Sequence, residues 1–83
     1  MRLNGSVVVI TGGASGLGEA VARRAIAEGA TGVALLDVND QRAADLAGEL
    51  GPKVLPVHCD VRSGDEVTEA IAAAHERFGR IDV

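Results

Sequence analysis

The hydrophobic pattern of this chain changes period several times, and each change marks an element. Ser6 to Ile10 carries the uninterrupted apolar run Val7-Val8-Val9-Ile10, which predicts a strand covered on both faces. From about Gly16 the spacing becomes helical, with Leu17, Val21 and Ala25, flanked by Ala22 and Ile26, on one side, and Gly29 as the stop. Gly32 to Asp37 predicts a second buried strand through Val33-Ala34-Leu35-Leu36. The helix that follows is capped by Asn39 or Asp40, carries the stripe Ala43, Leu46, Ala47 and Leu50, and ends at Gly51-Pro52. A third strand is expected from about Lys53 to His58. Ser63-Gly64-Asp65-Glu66 then has the capping-box form, opening a helix with Val67, Ala70, Ile71, Ala74 and Phe78 inward and Gly79 at its end. Arg80-Ile81-Asp82-Val83 reads as the start of a fourth strand. The order β-α-β-α-β-α-(β) implies the α/β class: a doubly wound parallel sheet with right-handed crossovers, truncated at its fourth strand.

Composition narrows the function classes. An apolar content of 47% against 24% charged is globular rather than disordered, and a net charge of −4 opposes nucleic-acid binding. No apolar run approaches the ~20 residues that cross a bilayer. Met1-Arg2-Leu3-Asn4-Gly5 leads straight into a strand-like run, so neither a signal nor a transit peptide is read there. One cysteine, Cys59, fits a reducing compartment and a cytoplasmic location, and as a small apolar filler it needs no chemistry. With no Tyr, no Trp and a single Phe, the core must be built from Val, Ile, Leu and Ala, and no phenol can take part in a reaction.

The segment with most chemical content is Thr11-Gly12-Gly13-Ala14-Ser15-Gly16-Leu17-Gly18, placed between a buried strand and a helix N-terminus. Backbone N–H groups and the helix dipole favour a phosphate there. Gly12 allows a sharp turn, Gly16 lets the backbone approach a pyrophosphate, and Gly18 lets the helix pack closely on the sheet. No Gly-Lys-Ser/Thr follows, which excludes a kinase-type phosphate loop. The form is T-G-x-x-x-G-x-G. Asp37 closes the second strand nineteen residues after Gly18, where an acid can accept both ribose hydroxyls of an adenosine and repel a 2′-phosphate. Neither Ser15 nor Val38 carries a positive charge. His58 and His75 have no Cys or His at metal-ligand spacing, which leaves both structural or solvent-facing and no metal expected. Asp65, Glu66 and Glu69 suit a solvated helix start.

T-G-x-x-x-G-x-G after the first strand resembles the cofactor fingerprint of the short-chain dehydrogenases/reductases, and the resemblance runs from Leu3-x-Gly5 to Gly79-Arg80-Ile81-Asp82. Within the family, TGGASGLG with LLD and CDV is most like the 3-hydroxyacyl-CoA and 17β-hydroxysteroid dehydrogenase branch. The resemblance implies a partial Rossmann domain over residues 1–83 that binds NAD. It implies that Asp60 and Val61 hold the adenine, through the carboxylate and the backbone N–H respectively, and that Ser15 and Leu17 face the pyrophosphate. It further implies hydride transfer between nicotinamide and a small hydroxyl or carbonyl substrate in a longer, homo-oligomeric enzyme with no membrane or nucleic-acid partner. The family's Ser, Tyr and Lys cannot be carried over. Tyr is absent, the single lysine is Lys53 at a strand start, and the N-N-A-G stretch is missing, so no catalytic residue is assigned and the 83 residues alone are expected to be inactive. An open apolar edge on the first strand is expected to make them poorly soluble or molten by themselves.

Two other classes stay open at this point. One is a stand-alone nucleotide-binding or interaction module that completes its sheet with a partner chain. The other is a methyltransferase using the second-strand acid on the ribose of a sulfonium cofactor, against which the Thr-Gly opening counts.

Overall fold

The structure, a computed structural model, describes residues 4–12 and 16–82. Its elements follow the expected order: β1 (Val7–Thr11), α1 (Gly16–Ala27), β2 (Gly32–Asp37), α2 (Asp40–Leu50), β3 (Val54–His58) and α3 (Gly64–Phe78). The three strands are parallel in the order β1-β2-β3, with Val7 opposite Gly32 and Val33 opposite Val54. The first and third strands each start one residue later than expected, and β1 extends to Thr11.

Parallel strands carry helices on both faces, and the side-chain alternation along β2 divides the core accordingly. Val33 and Leu35 face α1 and α2, packing with Val8, Ile10, Ala22, Ala25, Leu46 and Val54. Ala34 and Leu36 face the other way, onto Cys59 and onto Ala70 and Ala74 of α3. The inward positions of the helices are therefore mostly alanine, which brings helix and sheet close together. Phe78, at the end of α3, closes over Gly32 at the start of β2.

The caps explain where the helices begin and end. The Asn39 side chain, rather than Asp40, accepts from the Arg42 N–H at 3.1 Å and starts α2. Ser63 does the same for α3, and Gly79 ends it in the left-handed conformation, its N–H donating to the His75 carbonyl.

The inward assignment of Ile71 is corrected, and the apolar stripe of α1 includes two exposed residues. Leu17 is 81% exposed, and Val21 and Ile71 are also on the surface. Leu17 and Val21 lie on the helical stripe but beside the outer edge of β1, where no further layer stands among the described residues. With Val8, Val9, Ile10, Thr11, Gly12 and Gly18 they line an open hollow of about 490 Å3. Ile71 lies on the flank of α3, one step of helical rotation from the Ala70–Ala74 line that meets the sheet.

Residues 80–82 take no strand assignment, yet Asp82 meets the start of β1 twice. Its N–H donates to the Val7 carbonyl and its Oδ2 accepts from the Val7 N–H, both at 2.9 Å. Val83 lies outside the described residues.

Candidate nucleotide site at the carboxyl ends of the strands

In an open parallel sheet the loops leaving the carboxyl ends of the strands converge, and ligands bind in the crevice between them. Here the ends of β1, β2 and β3 enclose a hollow of about 290 Å3 lined by Gly12, Leu36, Asp37, Val38, Cys59, Asp60, Val61 and Arg62. Four of the residues read from the sequence, Gly12, Asp37, Asp60 and Val61, thus share one cavity although 49 positions separate the first from the last.

Gly12 turns the chain out of β1 with φ +63°, and its N–H donates to the Leu36 carbonyl at 2.7 Å. Gly16 opens α1 with φ +57°. A side chain strains both conformations. A Cβ at either would meet nothing within 4 Å, so what these glycines leave is a bare backbone facing open space at a helix N-terminus. Leu17 and Gly18 occupy the first turn of α1, with Leu17 exposed beside the β1 edge and Gly18 half-buried. Ser15 falls outside the described residues, as do Gly13 and Ala14.

Asp37 ends β2 half-buried. Its Oδ1 accepts from the Asn39 N–H at 2.9 Å, an Asx turn that ties the carboxylate to the start of α2. Its carbonyl accepts from the Cys59 N–H, which joins the ends of β2 and β3. Cys59 is buried, and burial together with the Glu66 and Asp60 charges pushes its thiol up, which suits a packing role.

Asp60 is gripped by Arg62. The guanidinium Nε lies 3.0 Å from Oδ1 and Nη2 lies 2.8 Å from Oδ2, and the Arg62 backbone N–H also donates to Oδ1 at 3.0 Å. The Arg62 side chain and then its backbone N–H lower the Asp60 carboxyl to about 2. Asp60 is therefore a fixed anion at any physiological pH.

The sequence reading did not find Arg62. It places a cation in the hollow where Ser15 and Val38 suggested none, but the guanidinium is engaged by Asp60 along its Nε–Nη2 edge. The only available signal was the D-x-R spacing, because an acid in an Asx turn brings its i+2 neighbour within reach.

His58 points away from Cys59, as alternation requires, and its Nδ1 lies 2.7 Å from Asp40 Oδ1. Asp40, followed by Glu66 and Asp60, raises the imidazole above its ordinary 6.5. A group raised in the folded state stabilises the protein below its unfolded value and loses that contribution as pH rises through the folded one. The urea midpoint should accordingly fall between about pH 6 and pH 8, and Asp40→Asn should flatten that fall. An equal slope in both proteins would remove His58–Asp40 as its source.

The comparisons with known proteins show the family and the fold. The short chain dehydrogenase family profile matches residues 6–83. The chain belongs to the short-chain dehydrogenase family. Curated relatives include cis-2,3-dihydrobiphenyl-2,3-diol dehydrogenase of Paraburkholderia xenovorans, 48% identical over 99% of this chain and 29% of that protein. The branch read from the motifs is represented by 3-hydroxyacyl-CoA dehydrogenase type-2 of Rattus norvegicus, 47% identical over 98% of this chain and 31% of that protein. The chain thus spans about a third or less of the length of these relatives. Among solved structures, the 3-ketoacyl-(acyl-carrier-protein) reductase of Brucella melitensis complexed with NADH superposes with a TM-score of 0.92 at 39% identity, over 96% of this chain and 33% of that one. A short-chain dehydrogenase/reductase from Burkholderia phymatum in complex with NAD gives 0.91 at 34% identity, over 98% and 30%. These neighbours bear out the parallel doubly wound architecture read from the sequence.

Proposed function

We propose that this chain is the NAD-binding amino-terminal portion of a short-chain dehydrogenase that exchanges hydride with a small hydroxyl- or carbonyl-bearing substrate. The observation that carries the proposal is the shared hollow of Gly12, Asp37, Asp60 and Val61 at the carboxyl ends of the strands. Two structural neighbours hold NADH or NAD, which supports the same cofactor here.

On this reading the residues divide the cofactor between them. Asp37 accepts from the adenosine ribose hydroxyls, and its charge disfavours a 2′-phosphate. Asp60 accepts from the adenine amine on a lone pair left by Arg62, and the Val61 N–H donates to a ring nitrogen. Ser15, Gly16, Leu17 and Gly18 take the pyrophosphate at the head of α1, where unpaired N–H groups and the helix dipole favour an anion, and Gly12 makes the turn that leads there. The nicotinamide supplies the hydride acceptor or donor. The chain has no tyrosine, so the family's phenolic acid/base is not among these residues, and they serve binding. Substrate and oligomer contacts would belong to other parts of the enzyme.

Calorimetric titration with NAD+, NADP+ and S-adenosylmethionine tests the assignment. Saturable binding of NAD+, weaker binding of NADP+ and none of the sulfonium compound is expected. Preference for S-adenosylmethionine, or no heat with NAD+, would overturn it.

A further inference from the structure

The spacing of Ser63 and Glu66 suggests a capping box, in which the Glu66 carboxylate would return to the Ser63 N–H. Only half of that box forms. Ser63 Oγ accepts from the Glu66 N–H at 3.3 Å, but the Ser63 N–H donates to the Asp60 carbonyl at 2.9 Å. The Glu66 carboxylate reaches past the cap, and its Oε1 accepts from the Asp60 N–H at 3.1 Å. The same oxygen lies 3.7 Å from His58 Nε2, while Asp40 holds the other ring nitrogen.

Both peptide planes that meet at the Asp60 Cα are consequently held from the first turn of α3. Glu66 fixes the plane before it through the N–H, and Ser63 fixes the plane after it through the carbonyl. A trans peptide sets its N–H opposite its carbonyl, so the bond to Ser63 turns the Val61 N–H away from α3. That N–H makes no hydrogen bond among the described residues, and Val61 is an exposed residue of the hollow. The direction of the Asp60 side chain follows from the same two planes.

We infer that Glu66 is a positioning residue for the adenine end of the hollow, acting through the Asp60 backbone rather than by touching a ligand. The inference rests on the cofactor reading above for what the hollow receives. Its local part stands on the hydrogen bonds alone.

Three variants of the intact protein separate positioning from simple helix capping. Glu66→Ala should weaken NAD+ binding about fivefold, the worth of one ordinary hydrogen bond. It should also move the Asp60 amide proton upfield in a 1H–15N spectrum. Glu66→Gln keeps an oxygen that can accept from the Asp60 N–H and should restore most of both. Asp65→Ala removes the same charge from the same exposed turn, and should leave the affinity and the Asp60 resonance in place.

An unchanged affinity and resonance in Glu66→Ala would overturn the inference, as would an Asp65→Ala protein that reproduces the Glu66→Ala effects. If the unsubstituted protein fails to bind NAD+, the cofactor reading falls and the Asp60 resonance alone decides whether Glu66 positions the loop.

Discussion

Replacing Gly32 with alanine should destabilise the protein by about 1–3 kcal/mol, the usual cost of forcing a methyl group into a filled site. A Cβ at Gly32 would stand 2.4 Å from Phe78 Cδ1, 2.5 Å from Cε1 and 2.8 Å from Cγ. These are atoms of one rigid ring, so no small rotation relieves all three contacts. The ring also packs against the cluster of Ala34, Leu36, Ala70 and Ala74, and Arg77 lies 5.0 Å from its centroid. Displacing it opens the interface between α3 and the sheet, although its position at the end of the helix gives it some room to swing outward. Urea denaturation measures the loss, and a double-mutant cycle with Phe78→Ala identifies the cause. In the Phe78→Ala background Gly32→Ala should be nearly neutral, and an equal cost in both backgrounds would refute the contact. Gly48→Ala is the control. That glycine lies within α2 with nothing within 4 Å of its would-be Cβ, and the same substitution there should stabilise by about 0.5–1 kcal/mol.

The largest effect on binding is expected at Asp37. Asp37→Asn preserves an oxygen for the Asn39 N–H, so the turn into α2 survives while the charge is removed. Charge-assisted hydrogen bonds contribute about 1.5–3 kcal/mol, so NAD+ affinity should fall about ten- to hundredfold. NADP+ should lose less, because the repulsion between the carboxylate and a 2′-phosphate disappears along with the favourable bonds. The gap between the two cofactors should therefore narrow. Arg62 sharpens this test, since it places a guanidinium in the same hollow. If Arg62 stays on Asp60, it gives the 2′-phosphate little help. If Asp37→Asn binds NAD+ as tightly as the parent and discriminates as well, Asp37 is not the ribose ligand.

Local order was legible in the chain because its causes are local. The run from Val7 to Ile10, the Ala43–Leu50 stripe, and the caps at Asn39, Ser63 and Gly79 each report a backbone preference within a few residues. The elements they predict are present with boundaries shifted by a residue or so. The chemistry of the glycine turn was legible for the same reason. Gly12 and Gly16 adopt the left-handed conformation that a strand-to-helix turn of this kind demands.

What only the tertiary structure decided is which neighbours each side chain meets. A helical stripe gives a direction around an axis and not whether a second layer stands there, so Leu17 and Val21 on the α1 stripe lie exposed, as does Ile71, which the spacing places inward. A capping-box spacing names a pair of residues but not the partner each will choose. Glu66 therefore passes over Ser63 to Asp60, and Arg62 folds back onto the same residue. The convergence of Gly12, Asp37, Asp60 and Val61 is also tertiary, since it depends on three parallel strands ending at one level. Periodicity and capping act over one or two turns of chain, whereas the site is made by contacts between segments tens of residues apart.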